Sequence, residues 1–100
     1  MAGSTAFEIA GLQLKNPFIL AAGILGVSGY TLRRVAESGA GAVVTKSFGL
    51  EPRTGFPNPT VVEVPCGLLN AMGLPNPGMK VLGEEMHEVK KANVPVIVSV

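Results

Sequence analysis

Apolar and polar positions first alternate along the chain and then fuse into runs. Phe7, Ile9, Leu12 and Leu14 flank Ala10-Gly11 and alternate with Glu8, Gln13 and Lys15, which predicts a short β-hairpin with one buried face. Asn16-Pro17 closes it, because proline keeps the preceding residue out of the helical region. The unbroken run Phe18-Ile19-Leu20-Ala21-Ala22-Gly23 predicts a strand buried on both faces. Over residues 28–38 the spacing becomes helical, with Leu32, Val35 and Ala36 on one side, Arg33, Arg34 and Glu37 on the other, and Gly39 as the stop. Ala42-Val43-Val44 then reads as a second strand that closes on Thr45-Lys46-Ser47. Strand, helix and strand in that order imply parallel pairing.

Residues 50–59 are dense in proline, glycine and charge, which predicts a long exposed loop, a type of segment that often serves a site. Val61-Val62-Glu63-Val64 reads as a strand, and residues 65–78 as a turn leading to a helix cap. Asn76-Pro77-Gly78 is expected to open the next helix, with Asn76 as N-cap and Pro77 at the first position. In that helix Met79, Leu82, Met86 and Val89 form the apolar stripe, with acids early and lysines late, as the helix dipole favours. Residues 94–100 read as a third buried parallel strand. A chain stopping on such a strand leaves it uncovered, which points to an incomplete fold. The expected class is α/β, a (β/α)8 TIM barrel that needs ~250 residues. Residues 1–100 would supply the hairpin and about the first two and a half βα units, as the amino-terminal part of a single barrel domain.

Composition narrows the functional classes. Eight Lys and Arg are scattered among seven acids, for a net charge of +1. No basic stripe stands ready for phosphates, so nucleic-acid binding is not expected. The apolar runs fall short of the ~20 residues that span a bilayer, and the polar start at residues 1–5 is unlike a signal peptide. A cytoplasmic chain without a membrane segment is expected. The one cysteine, Cys66, makes neither an internal disulfide nor a four-ligand zinc site.

Barrel chemistry gathers at the carboxyl ends of the strands, which directs attention to Ala22-Gly23, Thr45-Lys46-Ser47 and Ser99. A lysine ending a buried strand must either snorkel to water or meet an anion. Gly23 is either a simple turn glycine or a place where a flat ligand meets the backbone. The segment from Asn70 to Gly78 is either a turn with a helix cap or a set of N–H groups converging on a carboxylate. Cys66 has no histidine partner in view and is expected to be idle, with His87 solvated on a polar helix face.

Leu14-Lys15-Asn16-Pro17, Ala21-Ala22-Gly23, Thr45-Lys46-Ser47 with Leu50-Glu51-Pro52-Arg53 and Gly55, and Asn70-Ala71-Met72-Gly73-Leu74-Pro75-Asn76-Pro77-Gly78 occur in an order and spacing that resembles the class 1 dihydroorotate dehydrogenases. The likeness covers nearly the whole chain but only about the first third of that family's length. It implies an FMN-dependent barrel that oxidises dihydroorotate to orotate in pyrimidine (UMP) synthesis. Ala22, Gly23, Lys46, Ser47 and, more weakly, Ser99 match flavin-contacting positions. Lys46, Asn70, Ala71, Met72, Gly73 and Leu74 match the substrate site, where Asn70 pairs with the ring amide and the turn from Met72 to Leu74 holds the carboxylate. The resemblance places the catalytic cysteine base and the flavin phosphate site beyond residue 100, and requires no metal. The electron acceptor stays open between NAD, reached through an iron-sulfur/FAD electron-transfer subunit in a heterotetramer, and fumarate in a homodimer. A related flavin barrel acting on uracil-type rings and a non-catalytic fragment are the alternatives.

Overall fold

The computed structural model describes residues 6–100, so the polar start at residues 1–5 lies outside the described residues. Strands β1 (Phe7–Ile9) and β2 (Leu12–Leu14) form the expected antiparallel hairpin, with Phe7 opposite Leu14 and Ile9 opposite Leu12. Ala10 and Gly11 both take positive φ, as a tight two-residue hairpin link requires. Its apolar face is buried only at Leu14, and Ile9 at the far end is exposed. The expectation of one buried face therefore holds only where the hairpin meets the rest of the chain.

Strand β3 (Ile19–Leu20) follows after Asn16, whose Oδ1 accepts the Phe18 N–H at 2.9 Å while its Nδ2 donates to Gly39 O at 2.7 Å. Helix α1 (Gly29–Glu37), strand β4 (Ala42–Val44), the hairpin of β5 (Val61–Val64) and β6 (Gly67–Asn70), helix α2 (Met79–Val89) and strand β7 (Val96–Ile97) complete the order. The parallel sheet runs β3-β4-β7, with Ile19 beside Ala42, Leu20 beside Val43, Val43 beside Val96 and Val44 beside Ile97. Because side chains alternate across a sheet, Leu20, Val43 and Val96 form one row. That row packs on Leu32 and Ala36 of α1 and Val89 of α2.

Side chains of the opposite row fare differently. Ala42 is buried, but Ile19 and Ile97 stay exposed at 38% and 37%. The expected burial on both faces thus holds only at Ala42 of the central strand, and the outer strands β3 and β7 are corrected to cover on the helix side alone. Both helices lie against that one face, and the described residues place no second layer over Ile19 and Ile97.

Two further expectations change. Residues 67–70, read as part of a turn, form β6, paired antiparallel with β5 from Val61–Asn70 to Val64–Gly67. Asn76 is not the cap of α2. Gly78 holds that position with φ 89, and Asn76 Oδ1 instead accepts the Gly78 N–H at 3.0 Å before the helix begins. At α1 the expected start at Ser28 is right, but the Ser28 side chain makes no cap bond. Glu85 Oε2 on α2 takes the first free N–H, that of Gly29, at 2.6 Å. Among the described residues no helix is long and apolar enough to cross a membrane.

Candidate functional site

Strand β4 delivers Thr45, Lys46 and Ser47 at its carboxyl end, and the neighbouring strand fixes them. The Thr45 N–H donates to Ile97 O at 2.9 Å, and Thr45 Oγ1 accepts the Ser99 N–H at 3.0 Å. Thr45 is fully buried, so its hydroxyl acts as a clamp between two strand ends. Beyond it the hydroxyls of Ser47 and Ser99 meet at 2.6 Å. On the other side the Lys46 N–H donates to Gly26 O at 3.0 Å. A Cβ on Gly26 would collide with that Lys46 nitrogen, so only glycine allows this approach. Lys46 is half-buried, and its ammonium meets no carboxylate among the described residues.

Ala22 is exposed and Gly23 half-buried at the end of β3. Among the described residues no atom lies within 4 Å of the place where a Gly23 Cβ would stand, leaving room for a flat group over the backbone. Were a flavin bound at these strand ends, the open backbone at Gly23 would admit its ring, and the Lys46 ammonium and the Ser47 and Ser99 hydroxyls would supply hydrogen-bond donors.

The second set of residues is held by the long loop. The Phe56 N–H donates to Met72 O at 3.0 Å, Arg53 Nε donates to Gly73 O, and Asn76 Nδ2 donates to Leu74 O at 3.0 Å. Arg53 and Asn76 also exchange backbone hydrogen bonds of 2.8 and 2.9 Å. Three consecutive carbonyls are therefore each engaged by a donor. In a trans peptide the N–H points opposite to the C=O, so the Gly73 and Leu74 N–H groups face away from the donors that hold the carbonyls before them. Neither donates to a protein acceptor among the described residues. Gly73 and Leu74 both take positive φ, 80 and 54, an arrangement that leaves adjacent amides free for an anion.

Asn70 ends β6 opposite Val61, exposed and with no hydrogen bond on its amide among the described residues. Ala71 is tied to Thr60 O through its N–H at 2.8 Å. A cavity of about 340 Å3 brings Ser47 and Leu74 together with Arg53 and Asn76. Ala22, Gly23, Lys46 and Asn70 do not line it. A larger groove of about 450 Å3, against Phe18, Ile19, Leu20 and Val35, carries no charged group and offers no chemistry. Cys66 is exposed at the turn between β5 and β6, and His87 is exposed on α2.

The family profile described as "Dihydroorotate dehydrogenase" matches residues 4–100. The chain belongs to the dihydroorotate dehydrogenase family. Named relatives include the "Dihydroorotate dehydrogenase B (NAD(+)), catalytic subunit" of Pyrococcus furiosus, 56% identical over 97% of this chain and 32% of that protein. The protein of the same name from Methanosarcina mazei is 55% identical over 94% of this chain and 31% of its own length. The chain thus spans about a third of the length of these relatives. Among solved structures, the DHODH of Eimeria tenella in complex with ferulenol superposes with a TM-score of 0.74 at 20% identity, over 94% of this chain and 27% of that one. The fold is accordingly that of the dihydroorotate dehydrogenase barrel, of which this chain forms a portion.

The structural roles of three residues in building the site are not read from the sequence: Thr45 is marked there only as part of the run Thr45-Lys46-Ser47, Arg53 only within the loop motif Leu50-Glu51-Pro52-Arg53, and Asn76 as a helix cap. For Thr45 the signal was present: a hydroxyl directly after a buried β-branched run needs a partner. Arg53 and Asn76 act across a loop, and nothing local announces that pairing.

Proposed function

We propose that this chain carries flavin- and substrate-binding residues of an FMN-dependent barrel that oxidises dihydroorotate to orotate in pyrimidine synthesis. One observation carries the reading: the free N–H groups of Gly73 and Leu74, left unpaired while the carbonyls around them are held, make a receptor for a carboxylate. Lys46 adds the positive charge: its ammonium would hold the substrate anion and lie beside the ring of a bound flavin, which would supply the hydride acceptor. Asn70 presents a free amide that can pair with the ring amide of the pyrimidine and orient the reacting carbon. Ala22, Gly23, Ser47 and Ser99 line the flavin side, and Ala71 and Met72 belong to the substrate side. The base that removes the second hydrogen as a proton is assigned to a part of the protein beyond residue 100.

The names of the relatives, which include "NAD(+)" and "catalytic subunit", favour NAD as the electron acceptor, reached through a separate iron-sulfur/FAD subunit. Purification of the full-length protein with its native partners, followed by NAD and fumarate reduction assays, separates this from a fumarate-reducing homodimer.

The substrate assignment is tested with dihydroorotate and dihydrouracil, which share the ring amide but differ in the carboxylate. A site built on polar groups rejects an analogue that leaves them unpaired by ~10⁴-fold. The full-length enzyme is expected to prefer dihydroorotate on that scale, and Lys46→Ala to narrow the preference while slowing flavin reduction. Loss of a charge-assisted contact of this kind costs about 1.5–3 kcal/mol. Comparable kcat/KM for the two compounds in the wild type would replace this reading with that of an enzyme for uracil-type rings.

A further inference from the structure

Asn76 has one side-chain amide and three backbone partners. Its Oδ1 accepts the Gly49 N–H at 3.1 Å and the Gly78 N–H at 3.0 Å, and its Nδ2 donates to Leu74 O at 3.0 Å. These partners belong to three different segments. Gly49 lies two residues beyond Ser47 on the chain leaving β4, Leu74 is in the left-handed turn, and Gly78 is the residue that opens α2. The bond to Gly78 fixes only the entry of the chain into α2. The other two bonds join the segment that bears Lys46 and Ser47 to the turn that bears the free N–H groups.

Geometry gives this joint a specific consequence. Leu74 sits at φ 54, a conformation unfavourable for a residue with a Cβ, and the Asn76 amide grips its carbonyl. Released from that grip, the turn can relax, and the Leu74 N–H rotates with it. We propose that Asn76 is a positioning residue for the substrate carboxylate, setting the Gly73–Leu74 amides in register with the Lys46–Ser47 segment without touching a reacting atom. This rests on the carboxylate reading of Gly73 and Leu74 given above.

The test uses the full-length, FMN-loaded enzyme and compares wild type, Asn76→Ala and Asn76→Asp with dihydroorotate and dihydrouracil. Asn76→Asp keeps an acceptor for Gly49 and Gly78 but loses the donor to Leu74 O, so it separates the turn from the fold and decides the matter if Asn76→Ala does not fold. Both variants are expected to lose about tenfold or more in kcat/KM for dihydroorotate, chiefly through KM, as misplacement of a binding group does. Dihydrouracil turnover should change much less, so that the preference between the substrates narrows. Equal losses for both substrates, or an Asn76→Asp enzyme with wild-type preference, would overturn the positioning role while leaving the substrate assignment standing. A wild type that shows no preference for dihydroorotate removes the carboxylate reading itself, and this inference with it.

Discussion

At Gly73 a methyl group would arrive 2.6 Å from the Phe56 nitrogen and 2.9 Å from its ring, at a φ of 80 that residues with a Cβ rarely adopt. Both effects fall on the turn proposed to hold the carboxylate. Gly73→Ala is therefore expected to weaken orotate binding, with at least the ~1–2 kcal/mol of a left-handed L-residue taken from the turn. Titration of orotate into the flavin-loaded enzyme, followed by absorbance, measures it, and an unchanged dissociation constant would contradict the assigned geometry. Lys46 was legible in the sequence because an ammonium at the end of a buried strand is costly unless something meets it. Asn76 was misread because the polar residue before Pro-Gly fits a helix cap equally well. Its distinguishing partners, Gly49 and the carbonyl of Leu74, depend on how a long loop folds back, which local spacing does not encode.

Elements with a buried stripe were legible, as was exposed β5 from its β-branched run, and β6 was missed. Helix α2 follows its apolar spacing in burying Leu82 and Val89, whereas β6 has Leu68 and Leu69 adjacent and both exposed, with no alternation to read. That strand exists through backbone pairing with β5 rather than through burial. Between the helices, Arg33 Nη1 of α1 reaches Glu88 Oε1 of α2 at 2.8 Å, with Lys91 at 3.0 Å on the other oxygen and Glu37 pairing with Arg33 at 2.7 Å. Hydrogen bonds donated by Lys91 and then Arg33 hold the Glu88 carboxyl below its ordinary value of 4.5, and those that Arg33 donates to Glu37 and then Glu88 hold its guanidinium above its own. A lowered carboxyl contributes stability that is present above its ordinary value and is lost as pH falls through the lowered one. Glu88→Gln is thus expected to lower the unfolding temperature slightly at neutral pH, less at high salt, and not at all in acid below the carboxylate range. Thermal unfolding at both pH extremes checks this, and a difference that persists in acid would assign the effect to packing.

The alternation of strands and helices made the barrel portion readable, but the sequence pattern overstated how much of it these residues bury. Phe18, Ile24, Leu50 and Val100 are all more than 70% exposed, and among the described residues β3 and β7 each pair on one side only. Expressed alone, the 100 residues are expected neither to bind FMN tightly nor to oxidise dihydroorotate, because apolar area left in water does not contribute to folding. Micromolar flavin affinity with a cooperative unfolding transition in the isolated chain would contradict this. The sheet order β3-β4-β7 also has a meaning in time. Each parallel strand docks beside one already synthesised, so a ribosome releasing the chain at about 5–20 residues per second extends the sheet only at its newest edge. Mispairing is then a danger for whichever edge is newest, first β4 while α2 and β7 are still being made, and slow translation over residues 45–95 would lengthen that exposure.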